Sequence, residues 1–118
     1  MNRALALASL LALAVAAPAA ADSEFSTPSK NIVCAYFAKQ VRCDIHSLND
    51  VAYVVGTKGK GRRIHITDAV GPGRVLGYGR TKRMGPGFTC HVSKAGVTCR
   101  NTRTKHGFFV SRERQRAF

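Results

Sequence analysis

The sequence predicts an all-β domain: a small antiparallel barrel or sandwich of about 6–8 short strands, with two disulfide-pinned hairpins and a short C-terminal helical turn. Three observations predict it. The four cysteines fall in two C-x8-C segments, 34–43 and 90–99, each with Lys near its middle and Val two residues before the second Cys. Short runs of period-two alternation recur between turns rich in Gly, of which the chain has 11. No amphipathic helical stretch of useful length occurs between them.

Residues 1–21 are expected to be a signal peptide. Arg3 supplies a positive start, 5–17 is an apolar run broken only by Ser9, Pro18 ends it, and Ala19-Ala20-Ala21 offers small residues for cleavage before Asp22. A membrane anchor needs about 20 apolar residues, more than this run provides. The expectation is a single secreted or periplasmic domain over 22–118, with no transmembrane segment after cleavage. An even number of cysteines in an exported chain then reads as disulfides.

The lead-in 22–29 is polar, with Phe25 as its apolar anchor and Pro28 as its end. Strands are expected over 31–36 and 41–46. Opposing Cys34 and Cys43 puts Tyr36 across from Val41 and leaves 37–40 as a four-residue loop. Period two then places Ile32, Cys34, Tyr36, Val41, Cys43 and Ile45 on one face, and Arg42, Asp44 and His46 on the other. Residues 51–55 read as a buried strand, and 56–63 as a cationic Gly-rich loop. Residues 63–67 alternate as a strand with Ile64 and Ile66 inward. Gly71-Pro72-Gly73 is a turn, 74–78 a short strand, and 79–87 a second Gly-rich basic loop.

In the second hairpin, Cys90 opposite Cys99 sets Val92 against Val97 around a loop over 93–96, with Gly96 free to turn left-handed. Phe88, Cys90, Val92, Val97 and Cys99 share one face; Thr89, His91, Thr98 and Arg100 share the other. Residues 106–110 form a last strand, and Ser111 caps one or two helical turns. Four cysteines allow three pairings. Geometry favours Cys34–Cys43 and Cys90–Cys99, since directly opposed strand residues have the separation a disulfide requires. A cross pairing stays open if the hairpins stack. Each ten-residue loop closed this way contributes roughly 2.5–3 kcal/mol.

Charge narrows function. The chain carries 19 Lys+Arg against 6 Asp+Glu, a net of +13; loss of Arg3 leaves +12. Such a domain is drawn to polyanions, and Arg, the majority of the cations, suits bidentate contacts to carboxylate or phosphate. The anion-binding candidates are Lys58, Lys60, Arg62 and Arg63; Arg80, Lys82 and Arg83; and Arg100, Arg103 and Lys105, continuing into Arg112, Arg114 and Arg116. Arg42, Asp44, Arg100, Asn101, His106 and Arg112, near the cysteines of both hairpins, are polar-cluster candidates on the functional reading of the motif residues, which is the lesser of two readings. The other reading makes Asn31, Asn101, Gly107 and Ser111 turn and cap residues.

The first functional reading is non-enzymatic binding of anionic envelope components, lipid head groups or polymers. The alternative is a protein-interaction or inhibitor module with an acidic partner. A third is a metal-free cationic ribonuclease using two of His46, His65, His91 and His106, although no spacing brings two of them together. The balance leans against an enzyme, and no catalytic residue is assigned. The aromatics fall mostly on inward strand faces and Trp is absent, which argues against base stacking and sequence-specific nucleic-acid recognition. No cofactor or metal is expected, because there is no CxxC and the compartment is oxidising. No GxxxxGK[ST] phosphate loop occurs.

Four ordered motifs carry a resemblance: Phe25-x-Thr-Pro-Ser-x-Asn-Ile-x-Cys34, Val41-Arg-Cys-Asp-Ile45, Gly96-Val-Thr-Cys-x-Asn101 and His106-Gly-Phe-x-x-Ser-Arg112. Together they resemble a family of small secreted bacterial disulfide-containing domains of unknown function. The resemblance implies a signal peptide and disulfides, and no activity. Members typically have Gly where this chain has Lys30 and Lys105. Many carry a third cysteine pair mid-domain, where this chain has the basic 58–63 segment.

Overall fold

The computed structural model describes residues 24–118; the signal peptide expected over 1–21 lies outside the described residues. Two sheets pack face to face. The first contains β1 (Glu24–Ser26), β2 (Ile32–Phe37), β3 (Gln40–Ile45), β4 (Val51–Val55), β5 (Arg62–His65) and β6 (Arg74–Val75), in the spatial order β5-β4-β3-β2-β1-β6. The second contains β7 (Thr81–Arg83), β8 (Phe88–Ser93), β9 (Gly96–Asn101), β10 (Gly107–Val110) and β11 (Gln115–Ala117), in the order β11-β10-β9-β8-β7. Both sheets have free edges, so the fold is a sandwich rather than a closed barrel.

Both hairpins adopt the expected register. Cys34 faces Cys43 and Tyr36 faces Val41; Cys90 faces Cys99 and Val92 faces Val97. The disulfides are Cys34–Cys43 and Cys90–Cys99. The ladders run further than expected, to Phe37↔Gln40 and Ser93↔Gly96. Each loop therefore shrinks from four residues to two. At the first turn Ala38 (φ 53°) and Lys39 (φ 62°) are both left-handed, the geometry whose twist suits a two-residue hairpin. At the second turn, Ser93 Oγ accepts from the Ala95 N–H at 3.1 Å. Gly96 answers to a neighbour as much as to its turn: a Cβ there would lie 2.5 Å from the Val110 carbonyl oxygen.

The core lies between the inner faces. Ile32, Cys34, Val41, Cys43 and Ile45 meet Phe88, Cys90, Val92, Val97 and Cys99, joined by Phe25, Tyr53, Met84, Phe108 and Val110. The two disulfides stack at its centre, with Cys43 Sγ 3.6 Å from Cys99 Sγ. The stacking that would have permitted a cross pairing is present, but each bridge stays within its own hairpin, where the opposed Cα atoms are 4.0 Å apart.

The outer face of the first sheet is also buried. Val33, Ala35, Arg42, Asp44, Ala52 and Val54 all lie under cover without belonging to the inter-sheet core. The topology explains this, because β5 and β6 occupy opposite edges of the sheet and 66–73 must cross its outer face to join them. Five strand spacings at about 4.8 Å make roughly 24 Å. Nine Cα–Cα steps cover at most about 32 Å, so the crossing strap is close to extended. It is held down along its length. Asp44 Oδ2 accepts from the Val70 N–H at 3.0 Å, Arg42 donates to the Asp68 carbonyl, and the Ser26 hydroxyl donates to the Pro72 carbonyl.

Several local expectations are corrected. The polar lead-in contains β1, which pairs with β2 and, in parallel, with β6. The basic loop 79–87 contains β7. The strand expected over 74–78 is only Arg74–Val75. Ile64 pairs with Ala52, facing the strap side rather than the core, and both Ile64 and Ile66 are only half-buried. The C-terminal helical turn is replaced by a tight turn and β11. Ser111 does cap that turn, since its Oγ accepts from the Arg114 N–H at 3.0 Å. Its N–H, however, donates to the Arg114 carbonyl at 2.9 Å, and this closes a hairpin rather than opening a helix.

Candidate anion-binding face

Among the described residues no strap crosses the second sheet, and its outer face meets solvent. Register builds that face in two rows. One runs Arg83, Thr89, Arg100, Gly107 across β7 to β10 and continues to Phe118, which exchanges both backbone hydrogen bonds with Gly107 at 2.9 Å. The other runs Thr81, His91, Thr98, Phe109, Arg116. Gly107 is required here by close packing: a Cβ would lie 2.1 Å from the Cys99 carbonyl oxygen and 2.8 Å from Arg100 Cα. Its missing side chain lets Arg100 and Phe118 meet across β10.

That meeting organises the site. The Arg100 guanidinium carbon lies 5.3 Å from the Phe118 ring centroid, and that of Arg116 lies 5.0 Å from the same ring. Arg114 lies 5.3 Å from the Phe109 centroid. Each such contact is worth about 0.5–1 kcal/mol at an exposed site, enough to bias a long side chain toward one position. A groove of about 360 Å³ results, lined by Thr98, Arg100, Phe109, Arg114, Gln115, Arg116 and Phe118. Three of its linings are cations and none is acidic. Between described residues, the two ion pairs both belong to Arg42, so no acidic side chain is paired with Arg100, Arg114 or Arg116.

The basic 58–63 segment rims this groove. Gly61 N–H donates to the Phe118 carbonyl at 3.0 Å, Asn101 Nδ2 to the Gly56 carbonyl at 3.0 Å, and Arg103 to the Thr57 carbonyl at 3.3 Å. Exposed Lys58, Lys60 and Arg62 thus share one end of the molecule with Arg103 and Lys105. Arg63 is also exposed, on β5, the first sheet's edge strand. Of the 80–83 group, Arg83 belongs to the face and Arg80 is exposed just before β7. Lys82 is opposite Cys90 and half-buried.

The members of the candidate polar cluster are held apart by different partners. Arg42 and Asp44 form a buried bidentate pair under the strap, Nε to Oδ1 at 2.6 Å and Nη2 to Oδ2 at 3.0 Å. The Asp44 hydrogen bond, opposed by burial, holds the Arg42 guanidinium above its ordinary pKa. Both of the pair's charges are spent on each other and on the strap. Asn101 is a turn cap, its Oδ1 accepting from the N–H groups of Arg103 (2.9 Å) and Thr104 (3.1 Å). His106 closes the same turn through its carbonyl, which accepts from Asn101 N–H at 2.8 Å. Arg112 borders a separate groove of about 180 Å³ together with Lys94 and Glu113.

The turn-and-cap reading describes the motif residues better. Asn31 Oδ1 accepts from Ser47 N–H at 2.9 Å, and Asn101, Gly107 and Ser111 have the parts just described. Lys30 (φ 65°) and Lys105 (φ 70°) are left-handed, which gives the physical reason for glycine at those positions in the resembled domains.

The four histidines lie in four separate places, His46 just after β3, His65 on β5, His91 on β8 and His106 just before β10, and no hydrogen bond joins two of them among the described residues. His91 Nδ1 pairs with Thr81 Oγ1 at 2.7 Å. The sulfurs of Cys34, Cys43 and Cys99 lie within 4.8 Å of one another, but as disulfides they offer no thiolate to a metal. Among the described residues no helix is long and apolar enough to cross a membrane. Phe109 and Phe118 are what sequence reasoning missed. The strict alternation over 107–110, with Phe108 in and Phe109 out, was the available signal. The assumed C-terminal helix hid Phe118.

The chain belongs to a family of unknown function (DUF6636), whose sequence model matches residues 43–118; the motif from Phe25 to Cys34 precedes the matched span. No curated protein and no solved structure matches the chain.

Proposed function

We propose that this member of a family of unknown function is a non-enzymatic, exported binding domain for anionic polymers or envelope components, and that the outer face of its second sheet is the binding surface. One observation carries the reading. Arg100, Arg114 and Arg116 are propped on Phe109 and Phe118, without an acidic side chain among those lining their groove. Guanidinium groups positioned in this way keep their N–H edges for bidentate contact with carboxylate, sulfate or phosphate. The basic rim adds long-range attraction. Two disulfides, together with the apolar leader expected over 1–21, support a secreted or periplasmic location.

Binding of this kind releases counterions. If about four anionic groups are neutralised, affinity for an immobilised polyanion should fall on the order of 100-fold between 50 and 200 mM salt. The Arg100→Gln/Arg116→Gln double variant should flatten that dependence. Salt-independent retention would refute the reading. A stoichiometric, salt-resistant protein partner captured from periplasmic extract would favour the interaction-module alternative. Cleavage of RNA by the purified protein would favour the ribonuclease.

A further inference from the structure

We infer that the polymer is an acidic polysaccharide, lying across the strands from β7 to β11, with its acid groups on the arginines and its hydroxyls on the threonines between them. This rests on the polyanion reading above and narrows it.

Three features of the face select the ligand. First, the outward rings are already covered. Phe118 carries Arg100 and Arg116, and Phe109 carries Arg114. Single-stranded nucleic acid is held largely by bases stacking on free aromatic faces, and this sheet offers none. Second, the middle of the face is hydroxylic. Thr89 stands between Arg83 and Arg100 in one row, and Thr98 lies beside it in the adjoining row next to His91. Hydroxyls that both donate and accept suit sugar hydroxyls. Third, the face has no fully exposed apolar side chain to insert into a bilayer, since Phe109 and Phe118 are half-buried beneath arginines. The exposed large apolar residues of the described chain are Phe37, Val75 and Tyr78, and none lies on β7 to β11. Membrane-surface binding of useful strength needs apolar burial in addition to charge.

The placement of charge argues for a chain rather than a single anion. Arg83 and Arg100 share a row and are separated by β8, which puts their strands about 9.5 Å apart at two interstrand spacings. Arg116 lies a further two strands on. In space, however, Arg116 meets Arg100 over Phe118, so the face carries Arg83 at one end and a group of arginines at the other, with hydroxylic surface between them. That arrangement suits a polymer carrying its acids at intervals, and it suits a densely charged phosphate backbone less well.

The test is a titration of the disulfide-bonded protein, near physiological salt, with polygalacturonate, an oligothymidylate of matched charge, and phosphatidylglycerol vesicles. Polygalacturonate should bind at least about tenfold more tightly than either of the others. Arg83→Gln and Arg100→Gln should each weaken it about tenfold, as expected for a charge-assisted hydrogen bond. Thr98→Val should weaken polygalacturonate several-fold and leave oligothymidylate unchanged. Equal or tighter binding of oligothymidylate or vesicles would overturn this inference and leave the broader reading intact. So would loss of affinity in Arg100→Gln with none in Arg83→Gln, because the ligand would then not cross the sheet. Binding to none of the three probes would overturn both.

Discussion

In the β2–β3 hairpin the residue after the second cysteine is Asp44, 1% exposed. In the β8–β9 hairpin the equivalent residue is Arg100, which stands in solvent. The two hairpins share their C-x8-C spacing, their register and their disulfide placement, and they meet sulfur to sulfur in the core. They differ in what lies outside. The 66–73 strap crosses the first sheet because β5 and β6 sit at its opposite edges. The second sheet is a simple meander, and no described segment crosses it. Identical covalent frames therefore carry polar residues with opposite tasks. Arg42 and Asp44 pair with each other to hold a strap, whereas Arg100 rests on a ring and keeps its charge outward.

The sharpest way to break this comparison is to disturb the covered face. Asp44→Ala leaves Arg42 buried with only Asp68 as its carboxylate partner and takes away the acceptor of the Val70 N–H. Breaking one partner of a buried pair typically costs about 3–5 kcal/mol, and we expect a loss near the lower bound, read from the urea midpoint. Replacing both charges, Arg42→Met/Asp44→Leu, should cost less than Asp44→Ala alone. If it costs more, the pair contributes specificity to strap docking beyond its own balance of charge.

Next come the bridges. Both close loops of the same sequence separation, 9, so Cys34→Ala/Cys43→Ala and Cys90→Ala/Cys99→Ala should each lose about 2.5–3 kcal/mol by the chain-entropy account. A clear difference between the two in thermal unfolding would measure what the strap adds to the first hairpin. Gly107→Ala comes third. Its Cβ has no room against Cys99 and Arg100, and overpacking of this sort costs about 1–3 kcal/mol. The same variant should weaken polyanion binding, because β10 must move away from Arg100.

The turns supply a smaller effect of opposite sign. Lys30→Gly and Lys105→Gly relieve a left-handed L-residue, worth about 1–2 kcal/mol, and part of that gain is returned to the greater freedom of glycine in the unfolded chain. A net stabilisation of about 0.5–1 kcal/mol per site is expected. The smallest effect belongs to the open face: Arg100→Gln gives up one exposed cation–π contact and should cost no more than about 0.5–1 kcal/mol of stability while reducing polyanion affinity. A large stability loss in that variant would mean that Arg100 is a packing residue and that the two faces differ less than proposed.

Much of the core was legible from cysteine spacing and alternation, because a disulfide between opposed strands and a one-sided apolar pattern specify the same register. The hairpin turns were harder to read. Ala38-Lys39 adopts a left-handed pair without the Asn-Gly signal that normally announces one, and only the ladder closing on either side holds it there. β1, β6, β7 and β11 were missed or shortened for a related reason. Each has two or three residues and exists because a neighbour presents hydrogen-bonding groups to it. The basic clusters were visible as composition, but their grouping was not. Arg114 and Arg116 join Arg100 only because 115–117 is a strand where helix formers follow a serine.

What the sequence by itself determined is the two-hairpin core, the disulfide pairing that opposed cysteines favour, the positive charge and the residues that cap the turns. These are consequences of local geometry and composition, which survive without knowledge of distant neighbours. The tertiary structure alone decided which outer face would be covered and which left open. A strap that must span a sheet buries Arg42 and Asp44, and a glycine in β10 lets Arg100 reach Phe118. Both depend on strands adjacent in space and remote in sequence, so no period or spacing along the chain encodes them.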